Sequence, residues 1–162
     1  MYKRDPKQDT TFLDNDHWRE KHPLNFPGPF YTGMSDTCGT GPCEAQENVL
    51  CDSYCQEYIF KQPTDYLELV GVLDAAAVEV IDSYSCNGNK YWTYEKCREW
   101  WHTVPDILQQ LKDPEIVKVN GPDHVQLHLD YLNGAAEKDL RKYCYFLENG
   151  RYPQGEVRLP EL

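Results

Sequence analysis

The chain has 162 residues, with 27 Asp and Glu against 16 Lys and Arg, a net charge of −11 and 40% hydrophobic residues. That length suits one domain with a substantial core. No apolar run approaches the ~18 residues that read as a membrane span, and so acidic a chain repels nucleic acid and anionic membranes, whose binding needs basic patches.

Residues 1–9 lack the apolar stretch of a secretory signal, which makes a cytoplasmic protein the expectation. Residues 1–26 are polar and without a clear period; they read as an N-terminal arm, with Phe12, Leu13 and Trp18 as anchors. Residues 27–162 read as a single globular α+β domain. It opens on a stretch, 27–47, dense in glycine and proline and therefore irregular. A hairpin follows, with strands at 48–52 and 56–62, the second ("QEYIFKQ") rich in aromatic and β-branched residues.

The clearest periodicity predicts a helix over 65–82. Tyr66, Leu69, Val70, Leu73, Ala76, Ala77 and Val80 recur at i, i+3, i+4, i+7 and define the expected buried stripe. Asp65 with Glu68 three residues on reads as a capping box. "CNGN" at 86–89 is a turn. A helix begins after Thr93 with Tyr94, Cys97, Trp101 and Val104 on one face, and a shorter one runs from Pro105 through Leu111 until "DPE" at 113–115 breaks it. "EIVKV", "NGPD" and "HVQLHLDYL" then read as a second hairpin, because Asn-Gly tolerates the positive φ of a tight turn. The last helix spans 135–149, with Ala136, Leu140, Tyr143, Cys144 and Leu147 inward and Gly150 just past its end. The expected fold is a small antiparallel sheet of hairpins packed with three to four helices.

Seven cysteines cannot all pair, and a cytoplasmic setting disfavours disulfides. Cys97 and Cys144 lie on apolar stripes and read as small buried hydrophobes. Cys38, Cys43, Cys51 and Cys55 form a C-x4-C-x7-C-x3-C cluster. It lacks the CxxC knuckles of common zinc sites and matches neither ferredoxin pattern. The hairpin turn would nonetheless bring Cys51 and Cys55 together, and the 38–43 loop can close on itself, so a structural zinc or iron–sulfur site competes with plain thiols or a disulfide.

His124 and His128 stand at i, i+4, the spacing that joins two imidazoles to one metal on a helix. Alternation of Val125, Leu127, Leu129 and Tyr131 with polar residues instead predicts a strand, on which the two rings lie about 13 Å apart. His128 and Asp130 would then share a face as base and orienting group of a hydrolase-like enzyme. "CGTGPCE" at 38–44 fails both phosphate-loop fingerprints, and no hydrolase elbow, kinase or metalloprotease signature is present.

Charge is the remaining signal. Residues 23–89 carry ten acids against one base, Lys61, for −9, whereas 1–22 are neutral and 90–162 sum to −2. On the 65–82 helix Asp65, Glu68, Glu79 and Asp82 fall in one polar sector, Asp74 on the other flank, and the helix contains no Lys or Arg. Such a face forgoes the i,i+4 ion pairs that stabilise solvated helices; steered association with a basic protein surface would favour it. In general character, an acidic, aromatic-rich domain of this size resembles inhibitor or immunity proteins that occlude basic toxins. The leading expectation is therefore a non-enzymatic, acidic binding protein with a basic protein partner, engaged through Asp65, Glu68, Asp74, Glu79 and Asp82 and needing no cofactor. The cysteine-ligated metalloprotein and the His128/Asp130 enzyme are the alternatives.

Overall fold

The structure, a computed structural model, describes residues 11–162. Its strands are β1 (Tyr31–Thr32), β2 (Val49–Cys51), β3 (Glu57–Ile59) and β4 (Tyr84–Ser85). Its helices are α1 (Gly41–Glu44), α2 (Tyr66–Val78), α3 (Tyr94–Trp101), α4 (Val104–Gln110), α5 (Pro114–Asn120), α6 (Pro122–Asn133) and α7 (Ala136–Asn149). The strands form two antiparallel ribbons, β1–β4 and β2–β3. The class is α+β with small sheets, as the sequence predicts, but with seven helices among the described residues rather than three to four.

Side chains set several helix starts. Asp65 accepts the Glu68 amide at 2.9 Å, Thr93 the Lys96 amide at 3.3 Å and Asp113 the Glu115 amide at 2.9 Å, each supplying an acceptor to an orphan first-turn N–H. Pro114 and Pro122 stand at the first positions of α5 and α6, where a missing N–H costs nothing. Gly150, at φ +71°, closes α7 by donating to the Phe146 carbonyl at 2.8 Å.

The second expected hairpin is corrected: residues 114–133 are two helices. The Asn-Gly-Pro sequence is an interhelical corner. Gly121, at φ +83°, ends α5 while Pro122 begins α6. The apolar alternation is coincidental, since α6 buries Val125, His128, Tyr131 and Leu132, a helical period. The first hairpin lies where expected but is shorter, with Val49 opposite Ile59, Leu50 opposite Tyr58 and Cys51 opposite Glu57. Both of its faces are buried. Leu50 and Tyr58 enter the larger core, built with α3–α7. Val49 and Ile59 enter a smaller one formed with Ala45, Val72, Ala75, Ala76, Tyr84 and Leu13.

Of the predicted arm, residues 1–10 lie outside the described residues. Within 11–26, Leu13, Leu24, Asn25 and Phe26 are buried. Asn25 bonds to both Thr32 and Ile59, stitching this segment to β1 and β3, and the Phe26 amide donates to the Ile59 carbonyl at 2.8 Å. Trp18 stacks on Tyr91 with ring centroids 4.8 Å apart. Among the described residues no helix is long and apolar enough to cross a membrane.

Candidate functional site

Helix α2 is apolar nearly all round, so its period alone does not choose a buried face. The face it buries carries Val72, Ala75 and Ala76, with the buried Glu79 just past its end. At 100° per residue this is about 110° from the expected stripe; Tyr66 and Val80, both expected inward, are exposed. The cause is that two of the predicted surface acids are internal ligands. Glu79 accepts the Asp36 amide at 2.8 Å and the Ser83 amide at 2.7 Å. Glu68 takes Lys61 Nζ at 2.7 Å, the Thr64 amide at 2.9 Å and Asn48 Nδ2 at 3.3 Å. Burial alone would raise the Glu68 carboxyl, but these donors outweigh it and hold its pKa below the ordinary value. Glu68 and Glu79 therefore leave the face that the sequence predicts, and Asp65 serves as the helix cap.

What α2 turns outward is mostly hydrocarbon. Leu67, Asp74 and Val78 lie within about 40° of one another on the helix surface. Leu67 is 79% exposed, and Val80 and Ile81 continue the apolar surface past the helix end at 77% and 53%. Asp65 and Asp82 stand exposed at the two ends and Asp74, half-buried, lies between. The result is an apolar strip with carboxylates along it.

A second site gathers the cysteines. Cys38, Cys43, Cys51 and Cys55 all line one pocket of about 410 Å³, and His124 of α6 lines it with them. All seven cysteines are free thiols. Cys43 sits on α1. Cys51 ends β2 and is clamped to α5: its amide donates to Asn120 Oδ1 at 2.8 Å and its carbonyl accepts from Asn120 Nδ2 at 2.7 Å. Cys55 closes the ribbon turn in a left-handed conformation, φ +61°. Burial, then the charges of Glu57, Cys55 and Asp52, push the Cys51 thiol up to about 12, and Asp36 raises that of Cys38. Among the described residues no three Cys, His, Asp or Glu side chains already stand at metal-ligating distance. Replacing Asn120 by alanine should free Cys51 from α5. Its thiol should then react measurably faster with a maleimide, at a stability cost of about 1–3 kcal/mol; unchanged labelling would show that the clamp does not control access.

His128 and Asp130 are not brought together. On a helix they face opposite ways: His128 is buried between Tyr58 and Phe60, with centroids at 5.6 and 5.0 Å, and Asp130 is exposed, hydrogen-bonded to Gln126 at 2.7 Å. The strand geometry behind the hydrolase-like pairing is thus corrected. Sequence reasoning missed a different histidine–carboxylate pair, His22 and Asp52, 2.9 Å apart beside a pocket of about 500 Å³. Its other ring nitrogen, Nδ1, accepts the Leu24 amide at 3.1 Å, so both nitrogens are engaged and the imidazole braces the 22–24 bend. Trp100 lies in the core with Nε1 donating to the Pro23 carbonyl at 3.2 Å, while Trp101 is half-buried. Cys97 and Cys144 are buried, as expected, between α3 and α7.

In comparisons with protein-family models, curated proteins and solved structures, nothing matches this chain.

Proposed function

We propose that this protein is a non-enzymatic binding module that occludes a basic protein partner, in the manner of an inhibitor or immunity protein, through the outward face of α2 and the 80–82 segment that follows it. The observation that carries the reading is the exposed strip of Leu67, Val78, Val80 and Ile81, accompanied by Asp65, Asp74 and Asp82. Large exposed apolar side chains grouped on one element mark interaction surfaces. Apolar anchors supply affinity once desolvated, and carboxylates beside them speed the approach of an oppositely charged surface. Lys61, the one base within 23–89, is occupied by Glu68. The net negative charge of this region opposes pairing of two copies of this face.

The test starts by capturing a partner on the immobilised full chain and reconstituting the pair from purified components. Leu67→Lys, together with Asp74→Lys, should then weaken binding at least tenfold and reduce the salt dependence of association. Both positions are partly or fully exposed, so the fold should survive, as a matching unfolding midpoint would verify. Undiminished affinity for the purified partner, or a self-association that these substitutions abolish, would refute the assignment.

A further inference from the structure

We infer that the four cysteines of residues 38–55 and His124 form a binding site for a thiophilic divalent cation of the zinc class. This site is separate from the α2 face. Four thiols from one loop-and-ribbon segment and an imidazole from a distant helix converge on a single pocket. Thiolate and imidazole are the donors that zinc selects in four-coordinate protein sites.

The supporting contacts match what such a site needs. His124 Nδ1 lies 3.2 Å from the Asn120 carbonyl oxygen. A carbonyl only accepts, so Nδ1 carries the proton and Nε2 keeps its lone pair, on a ring that lines the pocket. Metal-binding histidines are oriented in this way, the far nitrogen donating to a backbone carbonyl. The same Asn120 uses its side chain to grip the backbone of Cys51 at both N–H and C=O. One residue therefore positions a candidate ligand on each side of the pocket. Cys55 is held at φ +61°, where most side chains are disfavoured. Negative groups surround the loop: Asp36 accepts the Cys38 amide at 2.9 Å, and Glu57 is the cross-strand partner of Cys51. They favour a cation over an anion.

The thiols stand apart, so binding requires that they be drawn inward, with four of the five donors completing the metal's shell. Each ligating thiol releases its proton to solvent as the metal–sulfur bond forms.

The experiment titrates Zn²⁺ into the reduced full chain by calorimetry, with Co²⁺ in parallel to report tetrahedral thiolate ligation by its visible absorption. One equivalent should bind, with a rise in the unfolding midpoint. Cys38→Ser with Cys43→Ser, at exposed positions that the fold tolerates, should weaken Zn²⁺ at least a hundredfold, and His124→Ala at least tenfold. Absence of uptake, uptake left undiminished by either variant, or air oxidation of these thiols to disulfides with no metal bound would overturn the assignment.

Discussion

Glu57→Ala should lower the free energy of unfolding by about 3–5 kcal/mol, whereas Glu57→Gln should stay within about 1 kcal/mol of the parent at pH 7. Glu57 is fully buried; Oε1 accepts the Gly41 amide at 2.8 Å and Oε2 the Tyr84 hydroxyl at 2.6 Å. Removing the carboxylate leaves both donors buried without an acceptor. Glutamine keeps one oxygen for Gly41 and turns its amide to the Tyr84 oxygen, which then accepts. Burial, the largest influence, raises the Glu57 carboxyl above its ordinary value, and Asp36 and Glu79 add to this against the hydrogen bonds of Tyr84 and Gly41. A carboxyl raised in the folded state contributes stability that is complete below its unfolded pKa and is lost as pH rises through the folded one. Glu57→Gln should therefore gain on the parent as the pH is taken from 4 to 7. Urea midpoints across that range provide the measurement, and a Glu57→Ala midpoint equal to the parent's would show that the network does not hold the 35–45 loop.

The second large effect runs the other way with pH. Burial pushes the His128 imidazole down to about 3 from an ordinary 6.5. The folded protein keeps the ring neutral while the unfolded chain protonates it. The associated stability is present above pH 6.5 and is lost as the pH falls toward 3, by about 4 kcal/mol over the interval. His128→Leu alone strands the Tyr58 hydroxyl, which lies 3.1 Å from Nδ1. His128→Leu with Tyr58→Phe removes both polar groups and should flatten the acid limb of the stability curve without a matching loss at pH 7. An acid limb as steep as the parent's in the double variant would mean that other groups cause it.

Local chemistry was the legible part of this fold. The Asp65 and Thr93 caps, the Gly150 stop, the 48–62 ribbon and the last helix all rest on interactions within a few residues, and all stand where the sequence places them. The errors are tertiary. Residues 124–131 alternate in polarity, but His128 is a core residue, and counting it as polar turns a helical period into a period of two. On α2, the sequence places Glu68 and Glu79 in solvent, where carboxylates usually stand. The amides and the lysine that take them inside come from Asp36, Asn48, Lys61, Thr64 and Ser83, and no periodicity of the helix reports those. The two-stranded β1–β4 pairing joins Tyr31 to Ser85 across more than fifty residues and has no local signature. The cysteine cluster was visible as a spacing. Its fifth member, His124, was not, because it is the long-range packing of α5 on β2, clamped by Asn120 at Cys51, that brings α6 to that loop.

The short β2–β3 ribbon has no wet side. Leu50 and Tyr58 wall one hydrophobic chamber, and Val49 and Ile59, next to them along the strands, wall the other. Melting either chamber strips a partition from its neighbour. The molecule is thus denied a half-folded refuge, and its two unequal halves must rise and collapse together.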